Sequence, residues 1–413
     1  MFLFRLALRN LTRHKRRTLI TASIIAVAIF FYIFLDSLML GMMEKSFENI
    51  INLESGHLQL ADSRYWEKRE DLPLKNLISP QEDVLTEIKQ QKGFEGLTPL
   101  LRFGATLNTG RDELPVIGVG IDPETYSRVF TTNNYFTGGS MLRSGKYQAV
   151  VGNRLADLME VEMGDYITLL VRSEEQTFNT IDAEISGLLH TPNPEVNENM
   201  VFVPLDIVQS VLDTGDRVTQ LAVRMEDREQ GITSATELKG QLEGDSNLNF
   251  YTWRDSAEFM IAMSQAQQIE NRIILGIILL IAAVGIINTV ILSALERMEE
   301  IGMMKAMGLQ EREIVFTFAL EATGIGIIGG CMGCLAAVAA VGLFHKYGID
   351  FFALMSDEVM TFGVPILGRI YGVWNPQAFI FVFFFGVLVS LVVSIFPSLW
   401  AARKDPVKSI YHR

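Results

Sequence analysis

Four long apolar runs constrain this chain more than any other feature. The first, TLITASIIAVAIFFYIFLDSLMLGMM, covers Thr18–Met43 and is broken only by Asp36. The second, Ile273–Leu295, carries no charge, the third runs over 314–344 with Glu321 near its start, and the fourth is Ala378–Trp400. About 20 apolar residues cross a bilayer as a helix, so each run predicts a span. The first is too long for a signal peptide and is followed by no small-residue cleavage site. Between the first two runs lies a long polar segment. A chain that is 49% hydrophobic with a mean hydropathy of +0.25 is too apolar for an ordinary soluble protein and too polar for spans alone. The expected fold is integral membrane α-helical, with four transmembrane helices and a large extracytoplasmic α+β domain inserted between helices 1 and 2.

The flanking charges set an expected orientation. Arg5, Arg9, Arg13, Lys15, Arg16 and Arg17 precede the first run, Arg403, Lys404, Lys408 and Arg413 follow the last, and Arg297, Lys305 and Arg312 lie between the second and third. The positive-inside rule then places both termini and the 296–313 segment in the cytoplasm, and residues 44–268 outside. The expected divisions are a basic amphipathic segment over 1–17, spans over 18–43, 273–295, 314–344 and 378–400, an outer domain over 44–268, an outer loop over 345–377 and a cytoplasmic tail over 401–413. Residues 44–268 hold 19 Lys+Arg against 36 Asp+Glu, an asymmetry that argues against nucleic-acid binding. A soluble acidic domain explains it most simply, with recruitment of a basic partner as the alternative.

The outer segment alternates strand and helix signals. GHLQLA reads as a strand, SPQEDVLTEIKQQKG as a helix capped near Ser79 and ended by Gly93, and LRFGATLNTGRDELPVIGVGID as a hairpin about Asn108–Gly110. Val218–Met225 and NLNFYTW are further strands. Met42–Leu53 and 254–272 extend the flanking spans as two helical stalks, and a β-rich insert is expected at about 121–215. Before the first span, Phe4, Leu8 and Leu11 fall at i, i+4 and i+7 beside a strip of Arg5, Arg9 and Arg13. That pattern suits a helix lying apolar side down on the inner leaflet, or a plain basic anchor.

Several sites of chemistry can be set aside. GGSMLRSGKY has Ser140 and Tyr147 where a phosphate-binding loop needs Gly and Ser or Thr. The residues contain no HExxH, GxSxG or clustered His, Asp and Cys, so no catalytic residue and no metal site are expected, and His57 and His190 read as structural or surface residues. Cys331 and Cys334 form CMGC among Gly329, Gly330, Gly333, Ala336 and Ala337, which suits close helix packing better than redox chemistry. Asp36 is expected near the outer interface as a wetted carboxylate, and Glu321 nearer the inner one.

The charged stretch LERMEEIGMMKAMGLQEREI, residues 295–314, sits between two of these runs. Its Glu, Met, Lys and Ala content favours a helix, and Gly302 and Gly308 permit a break and a turn. Periodicity alone allows either a docking element or a simple surface loop. Glu296-Arg297, Glu300-Ile301-Gly302, Lys305-Ala306 and Gly308 resemble the ER–x–x–EIG–x–x–(K/R)A–x–G pattern of FtsX/MacB-type (type VII) ABC transporter permeases. ALRNLTRHKRRTLIT, Glu321 with Gly324, Gly329 and Gly330, and Pro397, Ala401 and Pro406 of FPSLWAARKDPVKSI are similar to further segments of that family, as is the one-plus-three order of spans. The size of the outer domain and GHLQL are most similar to the LolC/LolE lipoprotein-releasing branch, although RSEEQTFNT (172–180) is a short counterpart of that branch's chaperone-recruiting arm.

The resemblance implies a non-catalytic permease of the bacterial inner membrane. It implies a pair of cytoplasmic ATPases that bind ATP and Mg, a second permease subunit, and lipoprotein cargo with a possible periplasmic chaperone, with no cofactor in this chain. Coupling residues would be Glu296, Arg297, Glu299, Glu300, Ile301, Gly302, Lys305, Ala306 and Gly308. Cargo would enter between spans one and two, past Phe31, Phe34, Leu35, Met39, Met43, Ile269, Ile273 and Ile277. Efflux of a small amphiphile or peptide, or FtsX-like regulation of a cell-wall hydrolase, is the alternative.

Overall fold

The computed structural model describes residues 9, 11, 13, 15–79, 81–241, 247–296, 298–306, 308–350 and 369–403. Phe4, Arg5, Leu8, Arg297 and Pro406 lie outside the described residues. The chain divides into two compact units, residues 1–42, 263–350 and 369–413 in one, and 43–262 with 351–368 in the other.

The first unit is helical. It contains most of α1 (Lys15–Ile50), most of α8 (Glu258–Glu296), α9 (Met298–Ala306), α10 (Glu311–Tyr347) and α11 (Pro376–Ala402). Of these α1, α8, α10 and α11 are each long and apolar enough to cross a membrane. The packing explains the glycines. A Cβ at Gly329 would lie 2.6 Å from the Ala22 carbonyl oxygen, and one at Gly333 would lie 2.7 Å from that of Ala26. Gly329, Gly333 and the fully buried Ala337 fall at i, i+4 and i+8 and let α1 approach the α10 backbone. Gly326 and Gly330 lie on a neighbouring strip, and a Cβ there would meet Ser390 and Phe383 of α11. The CMGC segment is thus surrounded by residues kept small for helix contact.

Asp36 is partly exposed and has a protein partner that the sequence did not indicate. Its carboxylate accepts from Asn375 Nδ2 at 2.9 Å, and the same Asn375 caps α11 by accepting from the Ala378 N–H. An unpaired carboxylate at that depth is costly, so the helix cap supplies the partner that water alone was expected to provide. The link between α10 and α11 is drawn together by a short antiparallel pair, β11 (Ile349–Asp350) with β12 (Arg369–Ile370).

The second unit is built on one mixed sheet of ten strands. Its strands are β1 (Leu58–Asp62), β2 (Phe94–Asn108), β3 (Glu113–Ile121), β4 (Phe136–Gly139), β5 (Gln148–Gly152), β6 (Tyr166–Arg172), β7 (Phe178–Leu189), β8 (Met200–Pro204), β9 (Gln220–Met225) and β10 (Leu248–Thr252). Their order is β10-β1-β9-β2-β3-β8-β5-β7-β4, with β6 bonded to β2 and β7. Helices α2 (Glu82–Gln90), α3 (Pro123–Val129), α4 (Asn153–Leu158), α5 (Pro194–Asn199), α6 (Leu205–Leu212) and α7 (Arg228–Gln241) cover it. The helix after Ser79 is preceded by Gln81, with no side-chain cap, so the cap expected at Ser79 or its neighbour is not made.

The insert expected at about 121–215 has no sheet of its own. Strand β2 is long enough to serve two lobes: its first half pairs with β9 and its last four residues with β6. One lobe packs Leu58, Ile88, Val223 and Phe250 around β1, β9 and β10. The other packs Leu107, Val151, Leu169, Ile181 and Val203 around β5–β8. Two-residue alternation along β6 buries one side of that strand, whereas β2 buries Gly96, Thr98 and Leu100 in its first half and Leu101, Phe103, Ala105 and Leu107 in its second, so its buried face switches where it passes from one lobe to the other.

Candidate functional site

Helix α9 follows α8 almost without interruption, and its inner side anchors it. Ile301 is 1% exposed and belongs to the same apolar cluster as Leu11, Ala294, Ile314 and Phe318. After Ala306 the chain reverses at Gly308, whose φ of +96° suits glycine. The Gly308 N–H donates to the Lys305 carbonyl and the Leu309 N–H to that of Met304, closing the helix end. Helix α10 starts two residues later with a capping box between Gln310 and Glu313.

The predicted coupling residues divide into two groups. Glu296 and Glu299 are exposed. Glu300 accepts an ion-pair hydrogen bond from Arg13 Nη1 at 3.0 Å, with both side chains substantially exposed. Lys305 is mostly buried and points back to Glu311 at 3.6 Å, and Ile301 and Gly302 are buried. Ala306 closes the helix, and Arg297 lies outside the described residues. Sequence reasoning missed Met303, an exposed apolar side chain one turn beyond Glu299, and it left Leu11 open between a lipid-facing helix and a plain basic anchor. Leu11 is buried, and a Cβ on Gly324 would lie 2.4 Å from its Cδ1. Glycine at 324 therefore makes room for the N-terminal segment, a signal that no periodicity carries. The result is a short helix anchored from within by Ile301, with Glu299 and Met303 on its outer surface and Glu296 exposed at the end of α8.

Residues 272–406 match the FtsX-like permease C-terminal family, and residues 18–240 match the MacB-like periplasmic core domain. The chain belongs to the MacB/FtsX-type permeases of ABC transporters. An uncharacterized ABC transporter permease of Methanocaldococcus jannaschii is 23% identical over 98% of this chain and 96% of its own length. The macrolide export ATP-binding/permease protein MacB of Bartonella quintana is 23% identical over 98% of this chain, which spans 59% of that relative's length. The lipoprotein-releasing system transmembrane protein LolC of Xylella fastidiosa is 21% identical over 76% of this chain and 77% of its own. Among solved structures, the periplasmic region of MacB from Actinobacillus actinomycetemcomitans covers 53% of this chain and 98% of its own at 13% identity and a TM-score of 0.37. As a permease of this type, the chain is a membrane protein whose large periplasmic domain follows its first span.

The permease has an apolar cavity of about 480 Å³ between α1 and α8, lined by Leu19, Ile20, Ile24, Val27, Ile278 and Ile281 with Ser23 and Ala28. The two helices are joined nearby by Thr21 and Thr289, whose hydroxyls lie 2.7 Å apart. Thr289 donates to the Gly285 carbonyl, so Thr21 is the donor between them. None of the eight residues expected to line a cargo path lies in this cavity. Phe31, Ile269, Ile273 and Ile277 are exposed on their helices. Leu35 and Met39 are partly buried, and Phe34 packs on Phe30 and Phe344. Met43 is 5% exposed and belongs to the apolar cluster of Ile50, Trp253 and Met260 in the periplasmic unit, so it is removed from the candidate lining. In an apolar helix the faces toward lipid and toward protein carry the same residue types, and the pattern could not separate them.

Two ionisable groups of the periplasmic unit deserve placement. His57 is 5% exposed, and its Nδ1 accepts from the Met225 N–H at 3.1 Å. Burial, aided by Arg224, holds its pKa down at about 4, so the ring is neutral at physiological pH and acts as a structural acceptor. Glu54 carries a raised pKa, chiefly through burial; Arg102 opposes the rise and Glu195 adds to it. Among the described residues no group of three or more His, Cys, Asp and Glu could hold a metal.

Proposed function

We propose that this permease couples ATP hydrolysis by a separate cytoplasmic ATPase to movement of its periplasmic domain, and that the movement releases lipoproteins from the outer leaflet of the inner membrane. The observation that carries the reading is α9: a short helix between two spans, fixed from within by Ile301, with Glu299 and Met303 left outward. A surface so arranged suits a partner that must push on the spans without entering them. Both termini and α9 are cytoplasmic in this reading, on the strength of the flanking basic residues. The permease works as a dimer, either with itself or with a second permease chain.

Lipoprotein release is supported by the likeness to LolC and by helices that meet through glycines and apolar side chains, which favour a lateral path for an acyl chain over an aqueous pore. The β6–β7 hairpin is closed by a tight turn in which Ser173 donates its N–H to the Thr177 carbonyl. A receiving chaperone would therefore dock without a long arm there. Export of a small amphiphile is the second reading, favoured by the MacB relatives that match 98% of this chain.

Affinity purification in mild detergent, with co-purifying proteins and lipids identified by mass spectrometry, tests the proposal. A stoichiometric ATPase with acylated lipoproteins is expected. An ATPase without lipoproteins transfers the assignment to efflux or hydrolase regulation, and no ATPase contradicts it altogether.

A further inference from the structure

The end of α1 is tied to the periplasmic unit by several polar bonds. After Ile50 the helix widens into a π-type turn over Ile51–Ser55 and stops at Gly56, whose N–H donates to the Ile51 carbonyl. Such turns accommodate one extra residue and re-aim the side chains that follow. Here the turn presents Asn52 and Glu54 to different parts of the domain. Asn52 Oδ1 accepts from Arg224 Nη1 on β9 at 2.6 Å. The Asn52 carbonyl accepts from the Thr131 N–H at 3.0 Å, just beyond α3. Arg224 Nη1 also donates to the Val129 carbonyl at the end of α3. Glu54 Oε2 accepts from Asn193 Nδ2 at 3.4 Å, and Asn193 Oδ1 caps α5 through the Glu195 N–H.

These contacts reach both lobes of the sheet. Arg224 belongs to the lobe of β1, β9 and β10. Val129 and Thr131 flank the end of α3, which the Thr98 and Thr125 hydroxyls tie to β2 at 3.0 Å, and Asn193 leads through α5 into β8 of the other lobe. Asn193 is further tied, through the Thr191 hydroxyl, to Asn197, and the Asn197 backbone abuts Gly152 at the end of β5 so closely that a Cβ there would lie 2.3 Å from its carbonyl oxygen. A displacement of the α1 end is thus conveyed from Glu54 to β5 through polar bonds and backbone contact.

We propose that Glu54 is a positioning residue that fastens the end of α1 to the β5–β8 lobe through Asn193, while Asn52 holds the same turn to Arg224 of the first lobe, so that the β5–β8 lobe follows α1 when the helix moves. The inference rests on the mechanical reading above for its purpose, but the fastening can be tested without any ATPase. Glu44 is paired with Arg228 at 2.5 Å, which holds the preceding turns of α1 to the first lobe independently. Asn52 and Arg224 hold α1 there as well, so loss of Glu54 alone should free the β5–β8 lobe and leave the first.

The experiment uses the full chain in lipid nanodiscs with Cys331→Ser and Cys334→Ser. Spin labels are placed at Glu48→Cys with Asp157→Cys on α4, and separately at Glu48→Cys with Glu237→Cys on α7; all three positions are exposed. Glu54→Ala should broaden the 48–157 distance distribution by about twofold and leave 48–237 unchanged. Glu54→Gln, which keeps an acceptor for Asn193, should leave both narrow. An unchanged 48–157 width in Glu54→Ala overturns the proposal, and so does equal broadening of both pairs, which marks general loosening. ATP and vanadate are then added to the wild-type protein with its co-purified ATPase. If neither pair nor the ATPase responds while the selective broadening holds, the fastening stands and the ATP-driven reading falls.

Discussion

Helix α9 and the turn at the end of α1 are both short and polar, yet they treat their polar groups in opposite ways. Around α9 one apolar residue, Ile301, is buried, while Glu299 and Met303 face outward. In the α1 turn Asn52 and Glu54 spend their side chains on Arg224 and Asn193 of the same domain, and His57 close behind does the same with Met225. A surface left unspent is available to a partner; one fully spent transmits position. The contrast assigns gripping to the first region and connection to the second.

Substitutions can break each side of that contrast. Ile301→Asp places an unpaired carboxylate beneath α9 and should cost about 3–5 kcal/mol locally. Recovery of the ATPase in pull-down should collapse while membrane insertion, read by fractionation, persists. His57→Ala leaves the Met225 N–H without its acceptor and should lower stability by about 1–3 kcal/mol. The same residue sets a pH dependence. Its folded pKa of about 4 lies below the ordinary 6.5, so the unfolded chain binds the proton more readily. Stability is then complete above about pH 6.5 and falls as pH drops toward 4, by no more than about 2 kcal/mol once solvent screening is allowed for. Thermal unfolding against pH should show this acid limb in the wild type and a shallower one in His57→Ala.

Glu54 titrates with the opposite sign. Its pKa is raised by burial, so the folded state holds the proton more firmly, and stability falls as pH rises from the unfolded value through the folded one. Glu54→Gln should therefore be more stable than wild type at pH 8 and lose that advantage near pH 4; an advantage that grows on acidification would refute the buried-carboxylate account. The smallest effect is expected at Met303→Ala. Stability should change by less than about 0.5 kcal/mol, while ATPase binding weakens by about fivefold, measured by titration of the purified components.

What the sequence made legible follows from where its signals are unambiguous. Runs such as Ile273–Leu295 have no soluble alternative, so four spans could be read directly, and the EIG and KA-x-G spacing marked the segment after α8. The direction in which each of those residues points was not legible. Glu300 and Lys305 looked like ligands for a partner, but one pairs with Arg13 and the other turns inward to Glu311. Leu11 needed the absence of a side chain at Gly324 to be understood, and that gap comes from a distant part of the chain. Met43 continues the apolar pattern of the first run but belongs to the cluster around Trp253, because apolar periodicity does not record where lipid gives way to protein. The insert shared a sheet with the rest of the domain because β2 is long enough to pair with β9 at one end and β6 at the other, a long-range choice that local propensity does not encode.

The central claim, that α9 is the surface gripped by an ATPase, is tested most directly by site-specific photo-crosslinking in cells. A photoreactive residue replaces Met303 in one strain and Met332, an exposed residue midway along α10, in another. The account predicts that mass spectrometry identifies an ABC ATPase joined to position 303 and none joined to position 332. Recovery of only lipid at 303, or of the ATPase equally at both positions, would contradict it.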